Sequence, residues 1–330
     1  MMSVNPLFPW LQPNWERLYN YIIQERVPQA LLITGNKGIG KLHLANQFAF
    51  SLLCADPQTD GLSCGSCVSC KLLSAATHPD FINIQPEEAG KSITIAQIRN
   101  LITQLTLKPQ FETYRVVIVS PAEQMNHAAA NAFLKCLEEP TERTIIVLIT
   151  DKPAKLPATI VSRCQKLIIN TPTKDTTLAW LKQQNVQENT ELLFGLARGA
   201  PLLARQYADE GYIGMRHECF KAWMGIAKQQ SNPVIVAETW HKLPESPLLF
   251  WVTSWIVDLI KCFYPANIEN LYNPDLYKSL KELSQQLELK SVYKLYDILL
   301  ATRQRLDSPI NKQLMFEEIL IKWSEINLSR

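Results

Sequence analysis

The stretch ALLITGNKGIGKLHLANQFAFSLL, residues 30–53, joins a short apolar run to a helical one through a glycine loop. Ala30–Thr34 is continuously apolar, as strands buried on both faces are. Lys41–Leu53 places Leu44, Phe48 and Leu52 at helical spacing. Between the two lie Gly35, Gly38 and Gly40, three of only 11 glycines in the chain. Glycine permits a backbone whose successive amides point inward at an anion, and Lys41 adds a point charge where the helix begins. Strand, loop and helix together predict an α/β unit built on a phosphate loop; an ordinary strand-to-helix turn is the alternative.

Outward from this element the alternation continues. Phe81–Gln85, Arg115–Ser120, Thr144–Thr150 and Lys166–Asn170 read as strands, with helices at Ile95–Leu105 and Asn126–Glu139. Apolar strands separated by helices predict a parallel sheet with helices on both faces. Past about Thr171 the strand signals fade. Thr173–Gln184 and Glu188–Tyr207 read as two short helices, and from Gly211 the chain is helix after helix, with Trp223, Trp240, Trp251, Trp255 and Trp323 as core candidates. Breaks are expected near Ser231–Pro233, Pro244–Pro247, Pro265 and Asp307–Pro309, and Asn311 is placed to cap the last helix. The expected division is an α/β domain over 1–170, a small helical domain over 171–210 and an all-helical domain over 211–330.

Composition narrows the function classes. The 330 residues carry 33 basic and 31 acidic side chains, a net charge of +2, with 47% hydrophobic and 19% charged residues. That balance excludes a disordered chain and a strongly basic nucleic-acid binder acting by counterion release alone. The most apolar stretch, Leu248–Tyr264, carries Asp258 and Lys261 and falls short of a membrane span. With no charged-then-apolar leader at the N-terminus, a cytoplasmic location is expected.

The phosphate loop lacks its usual metal contacts. A working loop follows its lysine with a hydroxyl that ligates Mg²⁺, and here the next residue is Leu42. A carboxylate is also needed at a neighbouring strand end, where Arg115–Val119 runs into Ser120-Pro121. Glu123 lies further on and is expected to be a solvated loop carboxylate. ATP with Mg²⁺ is therefore not expected to bind productively, and no intrinsic ATPase is expected. Passive nucleotide binding through Gly35, Gly38, Gly40 and Lys41 stays open.

Four of the eight cysteines cluster as Cys54-x₉-Cys64-x₂-Cys67-x₂-Cys70. Two-residue spacers let neighbouring thiolates converge on one tetrahedral ion, and Gly61 and Gly65 ease the turns between them. Such a site is closed to water, so a structural Zn²⁺ is expected, with unligated thiols or an iron–sulfur cluster as alternatives. His78 is surplus to four-coordination.

GNKGIGKL, the cysteine insertion, NAFLKCLEEP (Asn131–Pro140) and Ser162-Arg163-Cys164 occur in that order, accompanied by Pro9-Trp10 and Thr77–Asp80. Over roughly residues 5–210 this order resembles the delta-prime family of bacterial DNA polymerase III clamp-loader subunits, which are AAA+ proteins. The resemblance implies an AAA+ α/β domain with a zinc module at 54–70, a lid domain, and a helical collar for oligomerisation. It implies partners as well: gamma/tau ATPase subunits and a delta subunit in a hetero-pentamer, with the sliding clamp and primed DNA reached through that complex. Arg163 then falls on the residue that acts in trans on ATP held by a neighbouring subunit; taken alone, it would read as a surface ion pair. Thr150 falls where the family places a phosphate-sensing residue, and Leu202 where motor subunits carry a lid arginine. Motor subunits resemble this chain in both the cysteines and Ser-Arg-Cys, so Leu42 and Ser120-Pro121 decide for a non-catalytic assembly subunit. The alternatives are an active AAA+ ATPase and a zinc-stabilised nucleic-acid-binding module.

Overall fold

Within an extended strand successive side chains leave on opposite faces, so a strand apolar at every position must be covered twice. The computed structural model describes residues 6–88, 90–111, 114–265, 268–306 and 311–328. In it β1 (Ala30–Thr34), β2 (Phe81–Ile84), β3 (Arg115–Val119), β4 (Thr144–Thr150) and β5 (Gln165–Ile168) form one parallel sheet in the order β2-β3-β4-β1-β5. On one face Leu31, Ile33, Val116, Ile118 and Val147 pack with Trp15 and Leu18 of α1 (Gln12–Ile23) and with Leu44 and Phe48 of α2 (Lys41–Leu53). A short helix, α3 (Val68–Ser74), follows α2. On the other face Leu32, Val117, Val119, Ile146 and Leu148 meet Ile98 and Leu101 of α4 (Ile95–Leu105) and Phe133 of α5 (His127–Glu138). The α/β fold expected from the sequence, a parallel sheet with helices on both faces, is present.

Local chemistry sets the helix ends. Thr94 and Gln97 form a reciprocal capping box at the start of α4, and the Asn126 side chain accepts from the Ala129 amide at the start of α5. The last strand begins one residue before the expected Lys166–Asn170 and ends two before it; the Ile169 amide still donates to the Thr34 carbonyl at 2.8 Å.

After α6 (Ala158–Val161) and α7 (Lys174–Gln183) the expected single helix over Glu188–Tyr207 is instead two, α8 (Thr190–Leu196) and α9 (Pro201–Asp209). Arg198 and Gly199 take left-handed φ values of 52° and 78°, and Pro201 has no N–H to continue a helix. The chain divides into two compact units, Met1–Trp180 with Gly199–Leu203, and Leu181–Arg198 with Ala204–Arg330.

The second unit continues as α10 (Tyr212–Ala227), α11 (Pro233–Trp240), α12 (Glu245–Cys262), α13 (Tyr277–Ser284), α14 (Leu289–Arg305) and α15 (Lys312–Leu328). All five tryptophans read as core are buried. Trp223 and Trp323 stack with ring centres 4.0 Å apart, and the Trp323 indole N–H donates to the Trp223 carbonyl at 3.0 Å. Asn232 caps α11, with Pro233 as its first residue, and Asn311 caps α15. Of the expected Pro244–Pro247 break only Pro244 lies outside a helix; Pro247 sits in the first turn of α12, where a missing N–H goes unused. The expected break at Asp307–Pro309 lies outside the described residues.

Asp258, the charge that argued against a membrane span, is fully buried in α12. Its carboxylate accepts from the Tyr272 and Asn273 amides and from Asn273 Nδ2 at 2.7–3.0 Å. Arg216 donates to Asn273 and Asp275, so the same loop satisfies a buried charge of each sign. No helix among the described residues is long and apolar enough to cross a membrane.

Trp323→Ala removes one partner of the stack and leaves a large cavity. It should lower stability by about 3–5 kcal/mol in denaturant unfolding, whereas Leu314→Ala on the exposed side of α15 should change it by no more than about 0.5 kcal/mol.

Candidate functional site

The site lies at the carboxyl ends of β1 and β4. These strands pair in register, Thr34 against Thr150, so the residues that follow, Gly35 and Asp151, emerge side by side. Carboxyl ends of parallel strands are where α/β sheets bind ligands. Gly35, Gly38 and Gly40 have φ values of 151°, 80° and 91°, and the loop they form delivers Lys41 to the start of α2. The lysine is buried. Its ammonium donates to the carbonyls of Gly35 (2.9 Å) and Asn36 (2.7 Å) and pairs with the Asp151 carboxylate. Three N–H donors thus meet three acceptors. Thr150 accepts the Lys152 amide at 3.0 Å, forming the turn from which Asp151 projects.

Beyond this charge pair, Asn36 Nδ2 donates to the Thr171 hydroxyl at 3.0 Å, and apolar and aromatic groups flank the loop. The Leu202 amide donates to the Gly38 carbonyl at 3.0 Å, and a Cβ on Gly38 would lie 2.5 Å from that of Leu203. The start of α9 therefore lies against the loop. On its other flank Phe8 stacks on Trp10 and meets His43 and Trp180, while the Trp10 indole donates to the Ile39 carbonyl at 2.8 Å. Burial lowers the pKa of His43 and favours its neutral form.

Leu42 is exposed, and Ser120-Pro121 follows β3 with no carboxylate. Glu123 is not the solvated carboxylate expected. It is half-buried in the turn after β3, with one oxygen enclosed and without a hydrogen-bond partner among the described residues.

The four clustered cysteines come together. Cys54 at the end of α2 lies 3.5 Å from Cys64, 3.9 Å from Cys67 and 3.6 Å from Cys70, sulfur to sulfur, and Cys64 lies 3.9 Å from Cys70. All four are free thiols with sulfurs within 4.8 Å of one another, a set that could hold a metal ion. Backbone amides point at them: Cys67 N–H at Cys64 Sγ and Cys70 N–H at Cys67 Sγ, both 3.4 Å. The Cys67 amide, helped by the Ser66 hydroxyl, holds the Cys64 thiol down to about 6, while burial pushes Cys54 and Cys70 up.

His78 stands outside this set. Ser69 donates to the Leu53 carbonyl, so His78 Nε2–H donates to Ser69 at 2.9 Å while Nδ1 accepts the Asp80 amide. These contacts fix a neutral tautomer, consistent with a pKa lowered by burial. Asp80, the end of Thr77–Asp80, receives the Gln110 and Phe111 amides and pairs with buried Arg115 at 3.5 Å.

Arg163 follows α6 on the surface. Its guanidinium pairs with Glu138 of α5 at 2.9 Å and donates to the Thr159 carbonyl at 2.9 Å, with a side chain 38% exposed. It joins the NAFLKCLEEP helix rather than Gly35–Lys41. Sequence reasoning missed Glu138, Leu203 and above all Asp151, which follows Thr150 but lies 110 positions from Lys41; only the strand register brings them together.

Residues 11–173 match the family model for DNA polymerase III, delta subunit, and residues 212–325 the one for DNA polymerase III, delta subunit, C terminal. The chain is 34% identical to DNA polymerase III subunit delta' of Pseudomonas aeruginosa over 97% of its length and 98% of that protein's. It is 28% identical to the subunit delta' of Escherichia coli, covering 96% and 94% of the two chains. Among solved structures, a DNA polymerase III gamma subunit-related protein of Thermotoga maritima aligns over 95% of this chain and 99% of that one, at 20% identity and a TM-score of 0.47.

Gly38→Ala should cost about 1–3 kcal/mol, because it combines a left-handed φ with a collision at Leu203. Gly214→Ala, in open space inside α10, should instead stabilise by roughly 0.5–1 kcal/mol. Thermal unfolding of the two variants beside the parent separates these effects.

Proposed function

We propose that this chain, which belongs to the delta-prime family of DNA polymerase III subunits, is a non-catalytic assembly subunit of the clamp-loader complex in DNA replication. The observation that carries this reading is the phosphate loop: its glycines are retained, yet Leu42 offers no hydroxyl and Ser120-Pro121 closes β3 with no carboxylate, so both usual Mg²⁺ contacts are missing. Phosphoryl transfer depends on metal and charge stabilisation of the transferring group, and without them little hydrolysis follows. ATP turnover by the purified chain that Lys41→Ala abolishes would overturn the assignment and favour an active ATPase.

In this reading residues 1–170 form the AAA+ domain, 171–210 the lid and 211–330 the collar. The chain works in the cytoplasm with gamma/tau and delta subunits in a hetero-pentamer, and meets the sliding clamp and primed DNA through that assembly. Arg163 is its contribution to chemistry. An always-charged planar guanidinium suits the charge that develops on a γ-phosphate in a neighbouring subunit. Its present partner, Glu138, is half-exposed, and such surface pairs contribute only about 0–1 kcal/mol, so exchanging one anion for another is cheap. In a reconstituted complex Arg163→Ala should leave assembly intact and lower DNA-stimulated ATPase roughly tenfold or more; unchanged turnover with confirmed incorporation would refute the role.

Zinc fits the four thiols. Sulfurs about 2.3 Å from a common centre stand about 3.8 Å apart in a tetrahedron, and the shortest separations here are 3.5–3.9 Å. Cys54, Cys64, Cys67 and Cys70 would hold it with no open position, in a structural role. Metal analysis of untagged protein should find about one zinc per chain. Cys67→Ser should lose the metal and unfold at lower temperature, whereas Cys219→Ser, in α10, should keep it.

A further inference from the structure

We propose that Asp151 is the residue that keeps phosphate out of the Gly35–Lys41 loop, its carboxylate taking the place on the Lys41 ammonium that a phosphate oxygen would occupy. The inference rests on reading that stretch as a phosphate loop that performs no hydrolysis.

Lys41 has three N–H bonds to give and three oxygens receive them. Two are carbonyls of the loop itself, from Gly35 and Asn36, and neither carries a charge. Asp151 supplies the only anion. The Lys41 side chain is 4% exposed and that of Asp151 32%, so the ammonium is nearly stripped of water while the carboxylate keeps part of its hydration. A buried cation without a counter-charge is costly, so an anion must occupy this position in every state in which Lys41 stays folded in. The chain carries its own. An incoming phosphate would have to displace that carboxylate and then tolerate it nearby, a like-charge contact.

The position of Asp151 is fixed by the backbone. Register between β1 and β4 sets Thr34 opposite Thr150, and the Thr150 hydroxyl holds the Lys152 amide, which fixes the turn carrying Asp151 beside Gly35. Leu203 lies against Gly38 of the same loop through its Cβ and backbone, an uncharged contact.

The test uses the full chain and two probes, inorganic tripolyphosphate and ATP without divalent metal, followed by isothermal titration calorimetry. Asp151→Asn should bind tripolyphosphate roughly tenfold or more tighter than the parent, and the added Lys41→Met should erase the gain. A folded Asp151→Asn chain that binds no better than the parent overturns the proposal. Should Asp151→Asn fail to fold, the parent still decides: saturation by tripolyphosphate at low micromolar concentration shows that Asp151 excludes nothing, and weak or no binding is the expected result. None of these readouts involves hydrolysis or ring assembly, so failure here is distinct from failure of the assembly role.

Discussion

Ala30–Thr34 lies between Ile146–Thr150 and Gln165–Ile168, hydrogen-bonded to both, and this central parallel pairing places everything at the carboxyl edge of the sheet. β4 sends Ile145, Val147 and Ile149 into one core and Ile146 and Leu148 into the other, so packing on both faces holds it in place, while β5 contributes Leu167 to one core. Given that register, Gly35 and Asp151 must emerge together, and so must the loop that brings Lys41 back onto them. The charge arrangement at the site is thus a by-product of strand packing, which explains how a loop shaped for phosphate can be closed by a residue distant in sequence.

The cysteine module depends on the same sheet through α1 and α2. The Trp15 indole donates to the Asp60 carbonyl, the Tyr19 hydroxyl to Thr59 and the Ser51 hydroxyl to Gly61, so side chains of the two helices grip the backbone of the insertion. Gly61 is needed there: its φ is 81°, and a Cβ would enter the Tyr19 ring at 2.2 Å. On the far side Ser69 and His78 tie α3 to the end of α2 and to the approach to β2. The four thiols are therefore presented by a frame braced on both sides.

Much of this was legible in the sequence because its causes are local. The extent of α2, the bounds of β1 and β4, the capping residue Asn311, and the four converging cysteines follow from periodicity, capping chemistry and ligand spacing. What escaped depends on distant partners. Asp151 reads as one more loop carboxylate until β4 is laid beside β1, and Glu138 reads as a helix-surface charge until α6 brings Arg163 to it. The helix assumed across Glu188–Tyr207 failed for a local reason that was visible: Arg198, Gly199 and Pro201 together favour a left-handed stop and a fresh start over continuation. Glu123 failed for the opposite reason, since nothing near it in sequence announces that its carboxylate is enclosed.

The stacked indoles of Trp223 and Trp323 join residues a hundred positions apart, with a hydrogen bond spanning the same interval. On the ribosome α10 is made long before α15, so although Trp255 of α12 can reach Phe220 and Trp223 earlier, the place of Trp323 stays empty while about a hundred further residues are added, several seconds at ordinary elongation rates. During that interval the Trp223 ring face that Trp323 later covers is left to solvent. Slow translation late in the message would prolong the vulnerable period; a fast final stretch would shorten it.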